Sequence, residues 1–264
     1  MRQPAIYLPH GGGPCFFMDW TMGPADTWDR MAAWLRALPG ALPARPRALL
    51  VISAHWEQPA FTVLAGPHPQ LYFDYYGFPQ HTYQLRWPAP GDPALARRVM
   101  GMIADAGLPV AEDQHRGYDH GVFVPLKVAF PAAELPVVQV SLRQGLDPAQ
   151  HMALGRALAP LRDEGVLILG SGMSFHNMRA FGHPDALAPS EAFDRWLDAA
   201  LAAPEGRAER IAGWAAAPSG RFSHPREEHL IPLHVIAGAG AEEPAKRIFS
   251  DVVMGTRVSA WQLG

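Results

Sequence analysis

The stretch Leu49-Leu50-Val51-Ile52-Ser53-Ala54-His55-Trp56-Glu57 decides how the rest of the chain is read. Its large or branched apolar residues run together without alternation, which marks a strand buried on both faces. Small residues follow, then a histidine, an aromatic and an acid. In an open α/β sheet, ligands bind beyond the carboxyl ends of the strands. His55 is therefore the first candidate for chemistry. Taken alone it reads equally well as a structural histidine, so other histidines must arrive in the same way.

They do. Pro4 to Leu8 reads as a short strand, and Pro9-His10-Gly11-Gly12-Gly13-Pro14 follows at once. Consecutive glycines permit a tight turn or close approach to a ligand. The Gly-Lys-Ser/Thr ending of a phosphate loop is missing. Val166 to Leu169 is another buried strand, with Gly170-Ser171-Gly172-Met173-Ser174-Phe175-His176-Asn177 at its exit. Ser174 lacks the final glycine of Gly-x-Ser-x-Gly and is not read as a nucleophile. Ser223 to His234 is predicted to begin the last large helix. His229 and Leu233 share a face of it, whereas His234 points off that face. Pro232 means that the helix starts near it or kinks there.

Between these landmarks, helices are predicted from Pro24 to Leu38, from Asp92-Pro93 to Gly107, from Pro148 to Leu161, from Ser190 to Leu201 and from Ile211 to Ala216. Phe61 to Ala65 and Val137 to Leu142 read as strands, and the segment from Phe249 to Leu263 as an edge strand or hairpin. Two stretches follow no period. Leu71-Tyr72-Phe73-Asp74-Tyr75-Tyr76-Gly77-Phe78-Pro79 can stack a planar ligand or pack on its own aromatics. Asp113 to Gly121 carries His115, Arg116, Tyr118 and His120 and reads as a pocket wall. No linker or repeat divides the chain. Strands alternating with helices predict one α/β domain over residues 1–264, a sandwich with a central, mostly parallel or mixed sheet flanked by helices.

Composition narrows the function classes. Hydrophobic residues make up 48% of the 264, enough for a sizeable core. With 22 Lys+Arg against 25 Asp+Glu, the net charge of -3 is no footprint for nucleic acid or an acidic membrane surface. The single cysteine, Cys15, rules out an intrachain disulfide and a cysteine-rich zinc knuckle. No signal-peptide pattern and no run of roughly 18 apolar residues is visible, so a cytoplasmic location is expected. There are 12 histidines and no HExxH spacing. His10, His55 and His176 each follow a strand, and His229 opens a helix. Imidazoles suit iron, zinc, copper and nickel, and strand ends of one sheet can meet at one edge, so a metal site is expected.

At these same residues the chain resembles the class III extradiol ring-cleavage dioxygenases, in the branch containing the 4,5-DOPA extradiol dioxygenases. The matching pieces are Pro9 to Pro14, Ser53-Ala54-His55-Trp56, Tyr75-Tyr76-Gly77-Phe78-Pro79, Asp119-His120-Gly121, Gly170-Ser171-Gly172 with His176-Asn177, and Glu228 to Leu233. They span essentially the whole chain, and their order is more specific than any one of them. The resemblance implies that His10, His55 and His229 hold the metal, that His176 is the acid/base, and that His120 lies in the substrate pocket. The best-known class III enzymes have a glutamate as third ligand; His229 follows the all-histidine pattern of this branch. Zinc is often reported in the branch, while ring cleavage asks for ferrous iron.

On this reading the partners are a small aromatic diol and dioxygen, and the reaction is extradiol opening of a DOPA-like catechol. Trp56, Tyr75, Tyr76 and Phe78 are expected as apolar walls for the ring. Arg116 and His115 are expected to take an acidic side arm. Glu57, Asp119 and Glu228 are candidate carboxylates behind the metal-site histidines. A zinc-dependent hydrolase using activated water, and a non-enzymatic interaction protein on the same fold, are the alternatives.

Overall fold

A computed structural model describes residues 1–264. In chain order the main elements are β1 (Ala5–Pro9), α1 (Asp29–Ala41), β2 (Ala48–Gln58), β3 (Phe61–Leu64), α2 (Pro93–Asp105), β4 (Val110–Asp113), α3 (His120–Ala129) and β5 (Val137–Arg143). There follow α4 (Pro148–Leu158), β6 (Val166–Gly172), α5 (Leu187–Ala202), α6 (Arg207–Ala212), α7 (Gly220–Ser223), α8 (Ile231–Ala239), β7 (Ala245–Val253) and β8 (Thr256–Leu263). The strands form one mixed sheet in the order β4-β3-β5-β2-β6-β1-β8-β7. Its centre, β5-β2-β6-β1, is parallel throughout. β8 returns antiparallel beside β1, and the β7–β8 hairpin closes that edge.

The apolar run of β2 is buried on both faces because both faces carry helices. Leu50 and Ile52 pack with residues of α2, α4, α5 and α8. Leu49 and Val51 pack with α3 and the end of α1. Close approach of α4 to α8 depends on small residues: a Cβ at Gly155 or Gly238 would collide with the backbone of the other helix. The result is a single α/β domain with an eight-stranded mixed sheet flanked by helices. No helix is long and apolar enough to cross a membrane.

The local boundaries differ from the sequence reading in several places; the helix predicted from Ile211 to Ala216, for one, runs from Arg207 to Ala212 and is followed by a separate 3-10 turn. The first helix starts at Asp29, after a turn, and runs through Pro39 to Ala41; a proline in the last turn costs only one hydrogen bond near a frayed end. The final helix starts at Ile231, so His229 precedes it rather than lying on it. Pro232 then occupies its first turn, where a missing N–H would have no partner anyway. Val110–Asp113 forms an edge strand beside β3 that ends where the irregular wall from Asp113 begins.

Three histidines away from any strand exit are buried as neutral rings. Burial lowers the pKa of His151 and His234 to about 4 and that of His224 to about 3. An unfolded histidine titrates near 6.5, so the unfolded chain takes up these protons first as pH falls. Their contribution to stability is complete above about pH 6.5 and is lost toward about pH 4, at roughly 1.4 kcal/mol per histidine per pH unit. Urea midpoints should therefore fall steeply between pH 6.5 and 4, and less steeply in His151→Gln; equal slopes for the two proteins would contradict this account.

Candidate active site

The parallel centre of the sheet brings three chain exits to one edge. Pro9 pairs with Gly172 and Ser53 with Ser171, so β1 and β6 end level with Ser53 of β2; β2 itself runs on to Gln58, and His55 lies within it rather than past its end. His10 continues the ladder by one bond, its N–H donating to the Gly172 carbonyl at 3.1 Å. In β2 the register against β5 slips between Ile52 and Glu57. Such a bulge re-aims side chains, and it contains His55.

A buried polar network holds the bulge. The Ser53 hydroxyl donates to Asp119 at 2.6 Å and accepts the His55 backbone N–H at 3.2 Å. Asp119 also accepts from Gln139 at 2.5 Å and from Arg116 at 3.3 Å. Burial raises the Asp119 pKa, and the charge of Asp74 adds to this, against the Ser53, Arg116 and Gln139 bonds. Arg116 donates to the His55 carbonyl at 3.0 Å while its guanidinium lies over both Trp56 and Tyr72. His229 is fixed through its carbonyl, which accepts from the Tyr7 hydroxyl at 2.7 Å and from the Met173 N–H at 3.2 Å. Gly172 runs so close beneath that a Cβ there would strike this carbonyl.

Five histidines meet at this edge. Nε2 of His55 lies 3.2 Å from Nε2 of His10 and 3.2 Å from Nε2 of His229. The His120 ring lies 3.9 Å from that of His55, centroid to centroid. His176 stacks on His229 at 3.4 Å with the rings 15° apart. His10, His55 and His120 could hold a metal, each placing one ligand atom within 4.8 Å of the others, and His176, Glu228 and His229 form a second such set. The spacing among His10, His55 and His229 is also that of imidazoles around one divalent ion, since bonds of about 2.0–2.1 Å place nitrogens roughly 3.0–3.4 Å apart.

The second ring nitrogens are accounted for as well. His10 Nδ1 is 2.8 Å from the Gly11 carbonyl. His229 Nδ1 is 3.0 Å from Glu228 Oε1, which lies 3.2 Å from His176 Nδ1 as well. His120 Nδ1 is 2.8 Å from Asp74 Oδ1, and the other oxygen of Asp74 is 3.6 Å from His55 Nδ1. Burial, followed by the neighbouring histidines, holds His10, His55 and His229 well below the ordinary imidazole pKa. They are neutral rings, as ligation requires. Burial pushes Glu228 up, but the His176 bond, its own backbone N–H and Arg226 outweigh it and hold the carboxyl below its usual value.

The other residues singled out in the sequence divide. Tyr75 is buried with its ring centroid 5.8 Å from that of His120 and its hydroxyl on the Thr82 carbonyl, and Phe78 packs on Tyr75 with centroids 5.5 Å apart. Phe78 also closes over the glycine turn: Gly13 has φ +53°, and a Cβ there would come within 2.8 Å of that ring. Trp56 is buried beneath Arg116, so that face is not free for a ligand. Tyr76 is 90% exposed, and His115 is exposed without a hydrogen bond to the cluster. Glu57 pairs with Arg226 rather than with a histidine. His234 is buried elsewhere, on the Ile211 carbonyl. The Ser174 hydroxyl accepts from the Ser259 N–H, which leaves it no place in the cluster. Asp74 was the residue missed. Its only signal in the sequence is an acid isolated among aromatics.

The family described as the catalytic LigB subunit of aromatic ring-opening dioxygenase matches residues 4–263. The chain belongs to that family. Over 206 residues it is 44% identical to a 4,5-DOPA dioxygenase extradiol of Portulaca grandiflora, covering 76% of this chain and 75% of that protein. The protein of the same name from Escherichia coli K12 is 32% identical over 262 residues, 97% of this chain and 92% of its own. A crystal structure of an uncharacterized protein from Escherichia coli K12 superposes over 100% of both chains, with a TM-score of 0.79 and 31% identity. The LigB-family chain is thus an extradiol ring-cleavage dioxygenase, and dioxygenases of this family are metal dependent.

The closeness of Gly172 to His229 has a measurable consequence. Gly172→Ala should cost roughly 1–3 kcal/mol and weaken zinc binding in a titration, because the His229 backbone must move. Gly101→Ala, on α2 with nothing within 4 Å of the new Cβ, should gain roughly 0.5–1 kcal/mol and leave zinc binding unchanged. Equal behaviour of the two variants would show that the backbone contact does not set the site.

Proposed function

We propose that this chain, acting as one catalytic domain over residues 1–264, opens the ring of a small catechol beside its two hydroxyls with dioxygen. The metal would be held by His10, His55 and His229. The observation that carries this reading is the pair of 3.2 Å Nε2 separations from His55 to His10 and to His229. His10, His55 and His120 also lie close enough to share an ion, but the 3.2 Å Nε2 separations of His55 are to His10 and His229. When bound, ferrous iron supplies the redox chemistry that lets a singlet catechol react with triplet dioxygen; zinc has no redox chemistry and can only polarise or activate water. Three neutral imidazoles keep the site at the full charge of the ion, which favours a catecholate.

His176 is the proton carrier in this reading. Its Nδ1 faces Glu228, so the neutral ring has its lone pair on Nε2. That nitrogen can accept a catechol proton and return one to the opened product. His120 stands on the other flank as a substrate contact. Tyr75 and Phe78 supply the apolar wall nearest to His120. Arg116 acts on the His55 backbone instead of clamping an acid, because its guanidinium is already shared between the His55 carbonyl and Asp119. The relatives named as DOPA dioxygenases support an L-DOPA-like or dihydroxyphenyl acid substrate.

Anaerobic reconstitution with Fe(II), followed by oxygen uptake on L-DOPA, a dihydroxyphenyl acid and unsubstituted catechol, tests the reading. A ring-opened product with stoichiometric oxygen uptake is expected. His229→Ala should lose the metal together with activity. His176→Ala should keep the metal and lose roughly 100-fold or more in turnover. Loss of metal in His176→Ala would make it a ligand, and ester turnover with zinc and no oxygen requirement would replace the dioxygenase by a hydrolase.

A further inference from the structure

Asp74 lies in the irregular segment between β3 and α2, yet its carboxylate is three-way engaged at the site. Oδ1 accepts the His120 backbone N–H at 2.9 Å and lies 2.8 Å from His120 Nδ1, within hydrogen-bond distance. Oδ2 lies 3.6 Å from His55 Nδ1, an electrostatic contact longer than a hydrogen bond. The backbone bond alone would be a structural device, since His120 is the first residue of α3 and an anion there meets the helix dipole. The ring bond does more. It fixes the imidazole rotation and places the proton on Nδ1, leaving a lone pair on Nε2, which makes no hydrogen bond within the protein.

The same pattern stands on the other flank. Glu228 Oε1 faces Nδ1 of both His229 and His176, and His176 Nε2 likewise has no protein partner. Each carboxylate therefore serves one histidine of the His10–His55–His229 set and one histidine beside it. A diol brings two hydroxyl donors to such a site, and the two bare Nε2 atoms are two acceptors.

We propose that Asp74 is a positioning residue that holds His120 as the Nδ1–H tautomer with Nε2 turned to the substrate, making His120–Asp74 a second acceptor dyad beside His176–Glu228. The assignment rests on the ring-cleavage reading for what the dyad binds, but not for the tautomer itself.

The test uses the full chain, with and without Zn(II), labelled with 15N at histidine, and His120 assigned by comparison with His120→Gln. Long-range 1H–15N correlation should show His120 protonated at Nδ1 in the wild type and in Asp74→Asn, whose amide oxygen can accept the same bonds. In Asp74→Asn the Nδ1 proton should move upfield, because a neutral acceptor replaces a charged one. Asp74→Ala should release a mixture of tautomers. With Fe(II), dioxygen and L-DOPA, kcat per bound metal should fall about tenfold or more in Asp74→Ala and be largely restored in Asp74→Asn. Three results would overturn the proposal: an unchanged His120 tautomer in Asp74→Ala, an unmoved Nδ1 proton in Asp74→Asn, or parallel losses of activity and thermal stability in both variants. If Asp74→Ala does not fold, the proton shift in Asp74→Asn decides. A wild-type protein that cleaves no catechol would sink the ring-cleavage reading and leave the tautomer measurement standing.

Discussion

Imidazole nitrogens 3.2 Å apart can all offer their lone pairs to one ion only if the protons are on the far side of each ring. The site depends on that constraint. Each far-side nitrogen must then face an acceptor, and the chain supplies a different one each time. His10 uses the carbonyl of its own neighbour Gly11, His229 uses Glu228, and His55 faces Asp74 at longer range. Burial and the mutual repulsion of neighbouring rings both disfavour the charged imidazolium, so the arrangement keeps itself neutral. Carboxylates behind the rings offset the cost of drying them, and they fix the tautomers at the same time.

The fold meets the constraint by levelling strand ends. β1 and β6 are parallel neighbours that end level with Ser53 of β2, so segments far apart in the chain meet at one place. Parallel pairing by itself would aim a side chain by strict alternation. The slip in β2 breaks alternation where His55 sits, and the Ser53–Asp119–Gln139 network stabilises the irregular backbone from below. The hydrogen bonds of Ser53, Asp119 and Gln139 thus tie these residues to the bulge. Arg116 belongs with them. Its charge lies against Asp119 and the His55 carbonyl, and its flat face covers Trp56.

Much of this was legible in the residues. The unbroken apolar run from Leu49 to Ile52 required two covered faces, because no exposed strand face would be wholly apolar. A histidine just past each of several such runs required convergence if the strands were parallel, and it named His10, His55 and His176. Gly11 to Gly13 marked a turn that side chains would block, and Phe78 fills the space so left. Pro232 marked either a start or a kink, and it is the second residue of the last helix.

What the chain order could not carry was direction and pairing. Tyr75 and Tyr76 are adjacent and chemically alike, yet one lies against His120 and the other is in solvent, because side-chain direction in a segment without regular period follows from packing alone. Asp74 carries no spacing signal, since the rings it serves belong to other elements, His120 at the start of α3 and His55 in β2. Local sequence determined which segments form buried strands, where they exit, and that histidines stand at the exits, because those depend on hydrophobic period and backbone stereochemistry. Only the tertiary structure decided which nitrogen of each ring faces inward and which carboxylate holds its proton, because a hydrogen bond is fixed by distance and angle between groups that the chain order leaves far apart.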